Sequence, residues 1–423
     1  MQALQNFLMK WLMPIANKLE KQKHLQSIKD GMIGNIPIIV VGSLCLLPTA
    51  FMNLLGSGPV YDVLNSINPY FTVIAKYTND LVSIFAAYLI AKQLAKRYDI
   101  DNSAVGICAI AVHLILVGFD VENGIGTAYL GASGLFVGII SSIMSVEVTR
   151  LLRKHNIIIR LPESVPAMVG ESFSSLIPLV VNVAIASIIA TTCTSVTGVV
   201  FPQFVMNILA PAISTMDTLP ALLIVIFLTQ LLWFFGLHGP SITSAVWSPF
   251  AIAYGAENIA AYAAGEPVQH IFTFGLYYNV LQVCGSGLTL GLVLFMIRSK
   301  CKSYSAIGKA AIVPSLFGIN EPVIFGAPIL LNPFMFIPFV FGPLVITVIT
   351  WFAFDLGMVG MPIANPPGFM PPGVGAFLMT LDWRSVVLVF ALLILMAIFY
   401  YPFFKAMEKD ELEKEKQNEA NAA

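Results

Sequence analysis

An asparagine and a glutamate stand side by side in the otherwise apolar stretch Leu316–Gly326. A carboxylate accepts hydrogen bonds from hydroxyl groups, and a carboxamide both donates and accepts them. Asn320 and Glu321 therefore suit a neutral polyol better than an anion. A carboxylate in such surroundings is rare and is by default a functional candidate. Its other roles would be to cap the backbone of a broken helix or to carry a proton.

His238 is the second candidate, in the run Gly236-Leu237-His238-Gly239-Pro240. The flanking glycines and the proline open the backbone and leave room for a ligand, although a histidine that bonds between helices is a common structural alternative. Trp233 and Phe369 are the aromatic candidates, since an aromatic face can stack on the apolar face of a sugar ring. A tryptophan in an interfacial belt is the alternative for Trp233.

Other chemistries find no support in the sequence. The cysteines form no C-x-x-C pair, so neither a metal site nor a disulfide framework is predicted. The phosphate-binding G-x-x-x-x-G-K-[ST] loop is absent, as are G-x-S-x-G and H-E-x-x-H, so there is no signature of a P-loop nucleotidase, a hydrolase or a zinc protease. No metal and no cofactor are predicted, and the net charge of −1 gives no indication of nucleic acid.

The elements that must position these residues cross a membrane. The chain is 57% hydrophobic and 11% charged, whereas soluble proteins carry about 25% charged residues. The sequence predicts an all-α polytopic membrane protein with about ten transmembrane helices, two re-entrant hairpins and an amphipathic N-terminal helix over residues 1–30. The predicted spans lie near 32–54, 70–95, 103–118, 133–152, 173–200, 219–236, 240–262, 270–297, 333–353 and 384–404.

Two stretches are too broken to cross the membrane. Residues 313–332 are predicted as a re-entrant hairpin with Glu321 near its tip, and the proline-rich residues 360–373 as a second re-entrant or extracellular element. The chain thus divides into a five-span part, 31–200, and a part with broken helices, 219–405. Residues 201–218 connect them, and the tail, 406–423, is predicted to be solvated and disordered past its first turns. Broken helices are the usual sequence pointer to a transport site.

Positive charge sets the predicted orientation. Lysine and arginine cluster at alternate ends of the first spans, and the connections 55–68 and 119–131 contain neither residue. The positive-inside rule therefore predicts that both termini are cytoplasmic.

The motifs resemble a known family. Gly236–Gly239, followed about eighty residues later by Phe317–Gly326, is similar to the membrane-spanning IIC component of the bacterial sugar phosphotransferase system. The lactose/cellobiose/diacetylchitobiose branch fits best. The run His24–Gly31 and the run Pro166–Phe173 also resemble that branch, and the similarity covers nearly the whole chain.

The resemblance implies a disaccharide permease in the bacterial inner membrane, with residues 31–200 forming a homodimer and 219–405 carrying the sugar. It implies that His238 and Glu321 contact the sugar and act in catalysis, with Asn320 and Trp233 beside them. It also implies that a cysteine on a separate IIB protein, charged through IIA, donates the phosphoryl group. One departure is that Phe369 stands in a stretch where this branch often carries tryptophan.

Two other functions remain open at this point. The first is a proton-coupled sugar symporter in which Glu321 and His238 relay the proton. The second is a membrane-embedded transferase that acts on lipid-linked substrates.

Overall fold

The computed structural model describes residues 18, 21–46, 48–49, 52, 55–100, 102–120, 124–125, 127–162, 165–326, 329–368 and 370–422. Over these residues the chain is mainly helical, as its composition predicts. The exception is an antiparallel pair of two-residue strands, β1 (Phe119–Asp120) and β2 (Gly124–Ile125).

The described residues fall into two units. The N-terminal unit comprises residues within 15–214 and 248–267, and the C-terminal unit comprises residues within 215–247 and 268–423. The predicted domain limits at 31–200 and 219–405 remain predictions.

The N-terminal unit consists of helices joined by connections of different lengths. They are α1 (Lys23–Gly34), α2 (Ile36–Leu44), α3 (Pro59–Thr78), α4 (Val82–Arg97), α5 (Asn102–Val117), α6 (Leu135–Lys154), α7 (Ala167–Ser174), α8 (Leu176–Thr197) and α9 (Phe201–Met216). Short 3₁₀ turns at Asn79–Leu81 and Ala132–Gly134 precede α4 and α6.

Helix α4 lies at the centre of this unit and packs against α1, α5 and α6. Small residues make the close packing feasible. A Cβ atom on Gly31 of α1 would lie 2.5 Å from Cγ1 of Ile90 on α4, so only glycine fits there. The buried cluster between α4, α5 and α6 comprises Ala91, Leu94, Ala95, Val105, Ala109 and Val146.

The C-terminal unit has shorter and more irregular elements. They are α10 (Leu219–Phe234), α11 (Gly239–Ala264, which continues into the N-terminal unit), α12 (Phe274–Leu276), α13 (Leu290–Ile297), α14 (Lys302–Leu316), α15 (Glu321–Gly326), α16 (Pro333–Phe336), α17 (Gly342–Asp355), α18 (Val374–Thr380) and α19 (Trp383–Ala422). Two π-helical turns, Tyr277–Leu281 and Ile337–Phe341, follow α12 and α16.

Several helices are long and apolar enough to span a membrane. Within the described residues they are 59–97, 132–154, 169–197, 333–355 and 383–413, and the helices at 103–117 and 219–234 are apolar but shorter. This confirms a multi-pass helical membrane protein, while the count of about ten spans and the two re-entrant hairpins remain predictions.

The largest difference from the predicted spans lies within 270–297. The sequence predicts one crossing for this run, but residues 282–289 form no helix and all of them are buried. Gly285 and Gly287 adopt φ values of +93° and +87°, and Cys284 and Leu288 adopt +59° and +50°. A right-handed helix cannot continue through such residues. In a bilayer this backbone is tolerated only where protein buries it or water reaches it.

Other boundaries shift for local reasons. The predicted first span is interrupted at Asn35, because Pro37 cannot supply the N–H that would continue α1. The predicted connections 55–68 and 201–218 are helical from Pro59 and over Phe201–Met216. The sequence predicts a disordered tail, yet α19 continues to Ala422, since this segment is rich in alanine, glutamate and lysine, which favour helix.

Candidate functional site

The turn between α10 and α11 carries two of the predicted site residues. Helix α10 ends at Phe234, and Gly236 reverses the chain with a φ of +83°. Gly239 then lets α11 start close to α10, since a Cβ atom there would lie 2.1 Å from the carbonyl oxygen of Thr229. The glycines flanking His238 are therefore required by the backbone geometry of the turn.

His238 sits at the start of α11 and is exposed. Its Nδ1 atom accepts a hydrogen bond from the backbone N–H of Ser241, with an N···N distance of 3.1 Å. The neutral imidazole consequently carries its proton on Nε2, which makes that atom a donor. The contact orients the ring as well as capping the first turn of α11.

Trp233 lies beneath this histidine. The two rings are tilted by 47° with their centroids 4.5 Å apart, and Trp233 is buried while His238 is exposed. The ring of Phe325 on α15 meets Trp233 edge-on at 6.1 Å. Together the three rings form an aromatic surface at the ends of α10 and α15.

The interrupted segment 282–289 connects Trp233 with Asn320. The indole Nε1 of Trp233 donates to Oγ of Ser286 at 3.1 Å, and Nδ2 of Asn320 donates to the carbonyl oxygen of Ser286 at 2.5 Å. A Cβ atom on Gly285 would lie 2.5 Å from Cβ of Asn320, so the backbone must lack a side chain there. Further along, the hydroxyl of Tyr400 donates to the carbonyl of Gly287 at 2.9 Å and holds the other end of the segment.

Asn320 also organises the element that carries the glutamate. It is buried, and its carbonyl oxygen accepts the N–H groups of Val323 and Ile324 at 2.9 Å each, which begins α15. Gly318, with a φ of +76°, makes the turn from α14 into this position. Behind α15, the N–H of Leu331 donates to the carbonyl of Phe234 at 3.0 Å, which ties the chain after α15 to the end of α10.

Glu321 is the first residue of α15, but its side chain lies outside the described part of the structure, and so does Phe369. The structure thus brings three of the five predicted site residues, Trp233, His238 and Asn320, into one set of contacts. The backbone of Glu321 directly follows this set. Among the described residues, no group of three His, Cys, Asp or Glu side chains is placed to hold a metal ion.

Ser286 is the site residue that the sequence analysis missed. It looks unremarkable inside a long apolar run, and its contribution comes from both its side chain and its carbonyl. The available signal is the tripeptide Gly285-Ser286-Gly287, because paired glycines in an apolar span often mark irregular backbone or a close approach.

These features define a polytopic helical membrane protein whose polar and aromatic groups converge on an interrupted helix, as is usual in transporters. The chain belongs to the EIIC family of the phosphotransferase system: the family model described as "Phosphotransferase system, EIIC" matches residues 29–343. The prediction of a IIC sugar permease is thereby confirmed, and nothing in the matches supports the symporter or the transferase.

Individual relatives agree with this membership. The chain is 30% identical to the PTS system oligo-beta-mannoside-specific EIIC component of Bacillus subtilis, with 96% of this chain and 95% of the relative covered. It is 32% identical to the PTS system lactose-specific EIICB component of Streptococcus mutans, with 97% of this chain and 73% of that relative covered.

A solved structure shows the same fold. The transporter ChbC, the IIC component of the N,N′-diacetylchitobiose-specific phosphotransferase system, superposes with a TM-score of 0.89 at 29% identity. The match covers 97% of this chain and 99% of that structure, so both units have counterparts there.

Proposed function

We propose that this permease binds a β-linked disaccharide, such as cellobiose, lactose or N,N′-diacetylchitobiose, between Trp233, His238, Asn320, Glu321 and Phe369. The names of its relatives, specific for oligo-β-mannosides, lactose and diacetylchitobiose, support this substrate class. The observation that carries the proposal is the double hydrogen bond to Ser286, which joins the aromatic surface to Asn320.

The chemistry of these groups fits an uncharged sugar. The apolar face of a pyranose ring packs on an aromatic side chain, while its hydroxyls need both donors and acceptors. The imidazole Nε2–H is a donor, and the carboxylate of Glu321 is an acceptor. Such a site resembles other ligand sites, in which apolar walls provide contact area and a few polar groups fix the orientation.

Phosphorylation gives the transport its direction. A neutral sugar can leave its site toward either side of the membrane, so binding and release alone would only equilibrate it. Transfer of a phosphoryl group at the cytoplasmic face adds about two negative charges. The product then suits neither a site built around Glu321 nor the hydrocarbon core of the bilayer, and it remains inside the cell.

The phosphoryl donor in this proposal is a cysteine on a separate IIB protein, itself charged through IIA. The lactose-specific relative joins C and B components under one name, and this chain matches 73% of it, which supports a functional partnership with a B component. Glu321 orients the accepting hydroxyl or takes its proton, and His238 fixes the neighbouring hydroxyl. Phosphoryl transfer depends mainly on such positioning.

The same proposal includes the finer architecture. It has about ten spans, two re-entrant hairpins, a homodimer formed through 31–200, and both termini in the cytoplasm. The alternation of basic residues along the first spans supports the orientation. The break at Gly318 and the short helix α15 support a hairpin that carries Glu321.

A binding screen tests the proposed site. Purified full-length protein is titrated by calorimetry with cellobiose, lactose and N,N′-diacetylchitobiose, and His238→Ala and Glu321→Gln are titrated alongside. We expect at least one disaccharide to bind and each variant to weaken binding about tenfold or more, because each loses a charged or orienting hydrogen bond.

The matched controls are His155→Ala, an exposed histidine after α6, and Glu413→Ala, an exposed glutamate on α19. Both controls should bind like the wild type. If the wild type binds none of the three sugars, the proposed substrate class is wrong. If Glu321→Gln binds and is phosphorylated normally, both roles proposed for that carboxylate are wrong.

A further inference from the structure

Two glutamines close to the proposed sugar site are buried, and no hydrogen bond to the described protein accounts for their burial. Gln230 on α10 and Gln282 after the π-helical turn are 0% and 4% exposed. Among the described residues, neither the nitrogen nor the oxygen of either carboxamide has a hydrogen-bond partner. The one other described side chain with both atoms in this state is Asn79, in the N-terminal unit. Native proteins rarely bury a polar group without a partner, since this is costly, so a ligand is a natural explanation.

Three contacts between residues 217–233 and residues 272–286 place these glutamines. At one end, the carboxylate of Asp217 accepts the N–H of Phe272 at 2.8 Å. Farther along, the hydroxyl of Tyr277 lies 3.5 Å from Oγ1 of Thr229. The third contact is the hydrogen bond from Trp233 to Ser286. Residues 217–233 and residues 272–286 therefore run side by side as far as the proposed sugar site.

Both glutamines lie between the second and third of these contacts. Gln230 follows Thr229 directly and precedes Trp233 by three residues, so it shares a helix face with Trp233. Gln282 precedes Ser286 by four residues, and its backbone N–H donates to the carbonyl of Tyr277 at 2.8 Å. The π-helical turn before it adds a residue to the helical repeat, a feature that is frequent at functional sites.

Trp247 and Tyr277 form an aromatic wall at the second of these contacts. Trp247 packs on Tyr277 with ring centroids 4.0 Å apart, is fully buried, and has an indole N–H without a partner in the described part of the chain. This part of the C-terminal unit thus holds two unpaired carboxamides and, on the ring that packs against Tyr277, an unpaired indole N–H. Carboxamides both donate and accept, which matches hydroxyl groups rather than an ion.

We propose that Gln230 and Gln282 form a second half of the sugar site and bind hydroxyls of one ring of the disaccharide, while His238 and Asn320 hold the other ring. Along α10, Gln230 lies one turn before Trp233 and His238 lies just beyond the end of the helix, so the two polar groups flank the tryptophan. The inference rests on the proposed function, because it takes a two-ring sugar as the ligand. It makes these glutamines determinants of specificity for disaccharides over monosaccharides.

The test compares a two-ring with a one-ring ligand. The affinities of cellobiose and methyl β-D-glucopyranoside are measured by competition against labelled cellobiose. The purified full-length proteins are the wild type, Gln230→Leu and Gln282→Leu. We expect each leucine variant to weaken cellobiose binding about tenfold, as the loss of buried hydrogen bonds predicts, and to leave the affinity for the glucoside within about twofold. The control is Gln203→Leu, an exposed glutamine on α9 of the N-terminal unit, which should change neither affinity.

Thermal unfolding without sugar separates binding from folding. Leucine in place of an unpaired carboxamide should leave the melting temperature unchanged or raise it, because an apolar group of similar size removes an unsatisfied polar group. A lower melting temperature would mean that the glutamine bonds to protein and would overturn the inference. Unchanged cellobiose affinity, or equal losses for both ligands, would also overturn it; unchanged affinity would indicate that ordered water occupies these groups. If the wild type binds no cellobiose, the proposed function fails for this sugar and the inference fails with it.

Discussion

The two units bury their polar side chains in different ways. In the N-terminal unit, His113 on α5 is fully buried, with Nε2 2.7 Å from Oγ of Ser83 and Nδ1 3.4 Å from Oγ of Ser141. Each partner stands on a regular helix. In the C-terminal unit, the corresponding centre is Ser286, which lies on backbone without helix and is reached by Trp233 and Asn320.

Several charged side chains of the N-terminal unit are also paired within it. Arg97 bonds to Asp30, Arg153 bonds to Glu171, and Glu147 accepts hydrogen bonds from Arg150. The Arg97–Asp30 and Arg153–Glu171 pairs join different helices, whereas Glu147 and Arg150 both lie on α6. Carboxamides with neither atom bonded among the described residues occur in both units, as Asn79 in the N-terminal unit and as Gln230 and Gln282 in the C-terminal unit. There they precede Trp233 and Ser286 by three and four residues.

The contrast fits a scaffold in the N-terminal unit and the proposed ligand site in the C-terminal unit. Regular helices satisfy their own backbone, so a membrane protein can use them wherever lipid or another helix is the neighbour. Irregular backbone and unpaired polar groups are unstable unless protein, water or a ligand completes them. The irregular backbone of residues 282–289 and the unpaired carboxamides of Gln230 and Gln282 are therefore consistent with the proposed sugar site.

The largest expected effect concerns the interrupted segment itself. Gly285 has a φ of +93°, and a Cβ atom there would lie 2.5 Å from Cβ of Asn320. Gly285→Ala combines backbone strain with a clash and should lower the free energy of unfolding by about 2 kcal/mol or more. Denaturant unfolding in detergent measures this, and sugar titration should show that binding is lost as well.

Gly265 provides the control for this substitution. It has a φ of +73°, but a Cβ atom added there would meet no other atom within 4 Å, so Gly265→Ala should cost about 1 kcal/mol and leave sugar binding intact. Equal losses of stability in the two variants would show that the contact with Asn320 is unimportant.

The two histidines give the second prediction. His113→Ala should leave a cavity among Ser83, Ser141 and their neighbours and lower the free energy of unfolding by about 2 kcal/mol, with sugar affinity unchanged. His238→Ala should lower the sugar affinity and change the free energy of unfolding less. Its ring is exposed and it loses only a helix cap, worth about 1 kcal/mol, but sugar affinity should fall about tenfold or more. If both variants lose stability and affinity together, the distinction between scaffold and site is wrong.

The sequence predicts the parts of this site that stand out chemically. Asn320, Glu321 and His238 are polar residues in apolar surroundings, and the prolines and glycines around them indicate broken helices. The fold class follows from composition and span length, and the helices near 103–118 and 219–236 are predicted within about two residues.

Other features could not be read from the sequence because their meaning depends on tertiary neighbours. Ser286 resembles any small residue in a membrane span, and only the positions of Trp233 and Asn320 reveal its role. Gln282 falls in the same run, where the apolar pattern favours one continuous crossing over an interrupted one. That Gln230 and Gln282 lack partners among the described residues is likewise a property of the folded chain.

The smallest expected effect is a pH response in the proline-rich stretch. Asp382, just before α19, accepts the N–H of Gly360 at 2.8 Å and the N–H of Arg384 at 2.9 Å, and its Oδ2 accepts the guanidinium Nε of Arg384 at 2.8 Å. Burial alone would raise the pKa of Asp382, but these hydrogen bonds outweigh it and hold the pKa below its ordinary value. The carboxylate therefore fastens the beginning of the stretch 360–373 to the start of α19.

A lowered pKa in the folded state means that the stabilisation is present above the unfolded value of about 3.9 and is lost as the pH falls through the folded value. The amides of Ile363 and Ala364, which donate to the carbonyl of Met379 at 2.8 and 3.1 Å, are suitable probes. Their hydrogen-exchange protection, corrected for the intrinsic pH dependence, should fall below about pH 4, while amides of α5 stay protected. In Asp382→Asn the protection should be weaker at neutral pH and show no such step. A step that persists in this variant would assign the transition to another carboxylate and leave Asp382 without a role in closing the stretch.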